Sequence, residues 1–223
     1  MYALPIASVI AMILCLGIDG LHGAFSSSAA VSHRLNLAAA VLNKFVDPSE
    51  HLIPKAQMKM ADCVAMIPGF KKTSTGADQA VGQGFITCRQ GEQWSSPAAI
   101  TLQDSNPALR GAHGKTDIVM LSMDCDERAK VLSGRFAIGR DASAARGNAI
   151  SSASARDPKT LFFGRTNGTL VDFDLDGRVL SSGEPANKAL NCKSVANSEI
   201  IAGNIAAPSA ATAFAGTLGS AFK

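Results

Sequence analysis

A chain of 223 residues is long enough for one domain with a substantial core, and its apolar share of 47% beside 17% charged residues excludes an intrinsically disordered polypeptide. A net charge of +3, with no dense basic run interleaved with aromatics, excludes a dedicated nucleic-acid binder and leaves weak attraction to an anionic membrane surface open. With one Trp and one Tyr, the core must rest on small residues and close backbone approach.

Residues 3–18 form an apolar stretch broken only by Pro5, Ser8 and Gly17, and it stops at Asp19 before Gly, Ser and Ala take over. This is the shape of a signal-peptide core followed by a small-residue cleavage zone, predicting a targeting segment over 1–30 with cleavage near Ala24 or Ala30. A retained membrane anchor and a buried core helix are the other readings of the same residues. A lipoprotein would need a small residue before Cys15, where Leu14 stands. Removing the segment takes away Asp19 and no Lys or Arg before residue 25, so the charge rises from +3 to +4. It also leaves four cysteines, Cys63, Cys88, Cys125 and Cys192, an even number that suits a disulfide-bonded protein outside the reducing cytoplasm. Four cysteines allow three connectivities; Cys63 with Cys88 is favoured because both adjoin strand-like runs close in sequence.

From Val31 to Phe45 the residues Val31, Leu35, Ala38, Leu42 and Phe45 recur at steps of three and four, predicting an amphipathic helix. Asp47-Pro48-Ser49 ends it, and Pro54 suits the first turn of a second helix reaching Ala61. Short strand-like runs follow at 63–67, 84–88, 98–102 and 118–123, separated by turn chemistry such as Pro68-Gly69 and Gln90-Gly91. With no helix-length crossover between them, these runs predict antiparallel pairing. A helix is expected over 126–132, closed by Gly134, while 139–158 reads as neither helix nor strand. A hairpin is expected where 169–175 leads through Asp176-Gly177 into 178–180. The Ala-rich end, 198–223, reads as a terminal helix interrupted at Pro208 or as a frayed extension.

Asp172 to Gly177 matches the first six positions of a calcium-binding EF-hand loop, but the twelfth position is Gly183 and the nearest acid, Glu184, falls one residue late. An alternating strand ending in an Asp-Gly turn accounts for the same residues, so no metal site is expected. No nucleophile elbow, His-Glu-x-x-His or phosphate loop occurs, and Gly82-Gln83-Gly84 lacks the third glycine of a dinucleotide site. The chain is therefore expected to be no enzyme and to need no cofactor. A hydrolase would require Asp117, His113 and Asp141 to converge. Lys55 and Lys59, four apart on one helix face, with Lys71 and Lys72 after the next turn, form a candidate cationic cluster, each lysine adding about 1 kcal/mol near an anionic surface. A solvated helix face is the alternative reading of these lysines.

Several segments together resemble the SYLF domain family: Ile53-Pro54-Lys55, CVAMIPGFKK at 63–72, GQGFITCRQGEQWSSPAAITL at 82–102, TDIVMLSM at 116–123, VLSGRFAIGRDASAARG at 131–147, RTNGTLVDFDLDGRVL at 165–180 and Ala186-Asn187-Lys188. Their order and spacing match over about residues 35–192, and Gly-x-x-Trp-Ser-x-Pro-Ala is the most specific piece. Departures lie at 105–114, 146–151 and 163–165. The resemblance implies a single α+β domain over 31–197, mainly an antiparallel sheet, sandwich or barrel-like, with flanking helices. It further implies a non-enzymatic phospholipid-binding protein of the cell envelope, exported to the periplasm or outside the cell. Contact with anionic lipid is expected through the first helix, with Arg34 and Lys44, and through Lys55, Lys59, Lys71 and Lys72. An envelope structural or interaction protein that keeps the fold without lipid affinity is the alternative.

Overall fold

Ser27 stands just ahead of the first apolar periodicity, and its hydroxyl accepts from the Ala30 amide at 3.2 Å, which satisfies an otherwise orphan donor and starts helix α1 (Ser28–Val46). The computed structural model describes residues 27–50, 52–71, 81–103, 114–138, 142–146, 149–151, 159–171 and 178–222. After α1 come α2 (Lys55–Met60), β1 (Cys63–Lys71), β2 (Val81–Gln90), β3 (Gln93–Trp94), β4 (Ala98–Gln103) and β5 (Lys115–Ser122). Helix α3 (Cys125–Leu132) leads into β6 (Arg135–Ala137), β7 (Ala142–Arg146), β8 (Ala149–Ser151), β9 (Thr160–Thr166), β10 (Thr169–Val171) and β11 (Val179–Ser182). Helices α4 (Glu184–Asn191), α5 (Asn197–Ile201) and, after a 3-10 turn, α6 (Thr212–Ala221) complete the chain.

Among the described residues the strands form one sheet in the order β6-β11-β4-β2-β1-β5-β9-β7-β8, with β10 added on β9 and β3 on β2. Every pairing is antiparallel except β7 with β9. The fold is α+β, as expected. The path has two ends, β6 and β8, so the sheet is open rather than barrel-like. Nor does a second sheet make a sandwich, because helices cover it instead. On one face Val64, Met66, Phe85, Val119, Leu121, Leu161 and Phe163 meet the stripe Val31, Leu35, Ala38, Leu42 and Phe45 of α1 and Phe214 and Leu218 of α6. On the other, Ala65, Ile67, Ile86, Ile118, Met120 and Phe162 meet Ile200 and Ile201 of α5. This alternation along each strand is the period-two signature of a sheet buried on both sides. Burying Leu35, Leu42 and Phe45 alone is worth roughly 1.5–3 kcal/mol for each side chain.

Cys63 lies directly opposite Cys88 in the β1–β2 register and the two form a disulfide, as favoured from their sequence neighbourhood. Cys192 is disulfide-bonded as well. The turn of the hairpin expected through Asp176-Gly177 lies outside the described residues, and among the described residues the strands on either side of it, β10 and β11, do not pair with each other. β10 instead pairs back on β9 through Asn167-Gly168, both at positive φ, while β11 has β4 on one side and β6 on the other and so has no free edge for β10. The segment 139–158, unassigned from sequence, contributes β7 and β8. The Ala-rich end supplies α6, packed against α1, rather than a frayed tail. The targeting segment before residue 27 and the EF-hand-like stretch at 172–177 lie outside the described residues.

Candidate functional site: a charged cleft at one end of the sheet

Beyond Val119 and Phe163, the face of the sheet under α1 changes from apolar to charged. Asp117 and Lys115 continue β5 outward on that face, and Arg165 continues β9 beside them, in register with Asp117. Helix α1 ends at the same place, contributing Lys44 in its last turn and Asp47 and Glu50 just beyond. Together with Gly69, Asn167 and Gly168 these residues line a cleft of about 540 Å³, within the range of small-molecule sites.

Each wall has a physical reason. The β1–β5 register shifts between Ile67 and Phe70, and at that irregularity Gly69 takes a φ of +60°, a conformation costly for other residues. Its amide donates to the Asp117 carboxylate at 2.9 Å, so Asp117 holds the bulge in place. Asp47 accepts from both the hydroxyl of Ser49 (2.7 Å) and its amide (2.8 Å), and these bonds hold its carboxyl below the ordinary value. The Arg165 side chain is only 16% exposed; its guanidinium stands 3.6 Å from Glu50, a distance that balances charge without a good hydrogen bond, and its Nε is buried with no acceptor. Lys44 and Lys115 are exposed and make no ion pair among the described residues.

Just outside the cleft, Lys71 is the register partner of Lys115 on the neighbouring strand, and both are exposed. Like charges directly opposite each other weaken a sheet pair, so this placement needs compensation from elsewhere. With Lys44 from α1 and Arg165 from β9, four cations from four elements gather at one end of the sheet.

The cationic cluster expected from sequence is therefore divided. Lys55 and Lys59 are exposed together on α2, next to the Cys63 end of β1, where the Arg89 guanidinium donates to the Lys59 carbonyl. Lys71 sits at the other end of the same strand, about 25 Å away for eight strand residues. Lys44 belongs with Lys71, whereas Arg34 is half-buried near the start of α1, its guanidinium lowered from the ordinary value by burial. Lys72 lies outside the described residues. Of the three groups a hydrolase would require, Asp117 is committed to the Gly69 bulge, and His113 and Asp141 lie outside the described residues. Sequence reasoning did not single out Lys115 or Arg165. A partial signal existed for Arg165 alone: it immediately precedes Thr-Asn-Gly, the strongest short hairpin marker, which places it on a strand opposite Leu170, whereas the pairing of that strand with the one carrying Lys115 is non-local and has no local mark.

Among the described residues no group of three or more His, Cys, Asp or Glu could hold a metal ion, and no helix is long and apolar enough to cross a membrane.

Comparison with known proteins adds the family. Residues 111–221 match the Ysc84 family model, described as "Las17-binding protein actin regulator"; the match covers β5 through α6 and includes Lys115, Asp117 and Arg165. The chain is also 24% identical over 206 residues, 86% of its length, to an SH3 domain-containing protein of Schizosaccharomyces pombe, and it spans about half (47%) of that relative. The chain thus carries a domain of the SYLF, or Ysc84, family, a family consistent with lipid or actin-related binding.

Proposed function

We propose that this protein is a non-enzymatic binder of anionic phospholipid, and that it meets the lipid surface with the end of the sheet that carries Lys44, Lys71, Lys115 and Arg165. The observation that carries this reading is the cross-strand pair Lys71 and Lys115, two exposed like charges side by side with Lys44 from α1 lining the same cleft as Lys115. A fold gains nothing in stability from such a pair, whereas an anionic surface rewards it by about 1 kcal/mol for each lysine. Lys55 and Lys59 form a separate, smaller patch. Export to the cell envelope remains part of the proposal, resting on the apolar segment at 3–18 and on the paired cysteines.

Vesicle co-sedimentation tests the reading. Binding to anionic vesicles in excess of neutral ones, falling steeply as salt rises, is the expected result. Binding that is absent, or equal for both vesicle types, would remove it. The family description favours a second reading, a protein partner of the actin-regulator type. Salt-insensitive absence of vesicle binding, together with a stable protein complex, would support that reading instead.

A further inference from the structure

The cleft does more than gather cations. Its described walls carry three of each sign: Lys44, Lys115 and Arg165 against Asp47, Glu50 and Asp117. A site evolved only for a bare anion would exclude carboxylates, since each one repels the ligand. Here two of them, Asp47 and Glu50, follow the end of α1 and open on the same space as the cations. Asp47 is kept ionised by its bonds to Ser49. Glu50 faces Arg165 at 3.6 Å but leaves the guanidinium's buried Nε without an acceptor. Lys44 and Lys115 therefore keep ammonium groups without an ion-pair partner among the described residues while the carboxylates retain their charge, and all of them line one small cavity in which Glu50 stands 3.6 Å from Arg165.

We propose that this cleft binds a small zwitterion, an oxyanion and a primary ammonium on the same molecule, with the oxyanion on Arg165 and Lys115 and the ammonium on Asp47 and Glu50. The choice of phosphate as the oxyanion rests on the phospholipid reading above, so the ligand class is a phosphoethanolamine, either as a lipid headgroup or as a free phosphoamine. A cavity of about 540 Å³ accommodates such a group. A small positive excess at the rim, from Lys71, would draw the phosphate side in first.

Isothermal titration of the purified full chain with soluble phosphoethanolamine, inorganic phosphate and ethanolamine tests this without a membrane. The expected result is binding of phosphoethanolamine about five-fold or more tighter than inorganic phosphate, the order of one partly exposed ion pair. Glu50→Gln should bring the two ligands to similar affinity, and Lys115→Gln should weaken both; these residues are exposed, so both variants should fold. Equal affinity of the unaltered chain for phosphate and phosphoethanolamine would overturn the zwitterion, as would a preference untouched by Glu50→Gln. No heat with any of the three probes, with anionic vesicle binding intact, would overturn the cleft while leaving the surface reading in place. Where soluble phosphoethanolamine binds, vesicles with part of their choline lipid replaced by ethanolamine lipid identify the source. A gain in binding assigns the lipid headgroup, and no gain assigns the free phosphoamine; either result supports the cleft.

Discussion

Asp47 shows how one residue shapes the cleft. It ends α1, folds the chain back by accepting from the Ser49 hydroxyl and amide, and is fully exposed, so the lowering of its carboxyl comes from hydrogen bonds rather than burial. A depressed folded value means that the turn's contribution is present above the unfolded value and is lost as pH falls through the folded one. The loosening therefore belongs below pH 3.8, the ordinary value of the group. An NMR titration should place the Asp47 midpoint below 3.8, and Ser49→Ala should move it back toward that value. A second residue, Asn187, acts deep inside. Its Oδ1 accepts from the Ala99 amide at 2.7 Å and its amide donates to Asn197, whose own amide donates to the Ala99 carbonyl at 3.1 Å. Asn187→Ala would leave one buried donor, the Ala99 amide, and one buried acceptor, Asn197 Oδ1, unpaired and should lower stability by about 2–3 kcal/mol in denaturant unfolding. The Ala-Asn-Lys piece of the family resemblance thus has a structural task. Trp94 and Ser95 have one too. Trp94 lies under the Arg89 guanidinium and edge-on to Phe222, while the Ser95 hydroxyl accepts from the Cys88 amide. These motif residues were legible as text; what they touch was not, because Ala99 and Phe222 lie far along the chain from Asn187 and Trp94, and the nearer contacts to Cys88 and Arg89 depend on the turn between β2 and β3.

Among the elements, α1 was the most legible, since every residue of its three-and-four stripe over 15 residues is buried, with Ala39 and Val41 widening the buried face beyond it. The strands were legible in kind but short at their ends, because polar terminal residues such as Lys71 and Lys115 carry no apolar period. The misplaced hairpin has a specific cause: two turn signals, Asn167-Gly168 and Asp176-Gly177, stand close together, and sequence alone does not say which closes the ladder. Glycine in β2 illustrates how an element is fitted to its neighbour. A Cβ on Gly84 would overlap the Met66 carbonyl on β1, so only glycine lets these two central strands meet in this register. Gly84→Ala should therefore cost about 3 kcal/mol or more, read as a lower midpoint in chemical unfolding. An unchanged midpoint would mean that the strands separate there without penalty.

For the whole molecule, the decisive feature is that β1 separates Lys55 and Lys59, on α2 before its start, from Lys71 at its end. The sequence places Lys55, Lys59 and Lys71 within 17 positions, and proximity in sequence suggests one patch. A nine-residue strand between them makes two. Conversely, Lys44, Lys71, Lys115 and Arg165 are spread over more than 120 positions and meet only because β1, β5 and β9 are neighbours under the end of α1. Fold class was therefore within reach of local pattern, while the site depends on strand order, which local pattern does not encode. The most direct measurement compares two charge-reversed proteins, Lys44→Glu/Lys71→Glu/Lys115→Glu and Lys55→Glu/Lys59→Glu, for co-sedimentation with anionic vesicles. The account predicts that the first loses most of its binding and the second keeps most of it; equal loss in both, or loss confined to the second, would contradict it.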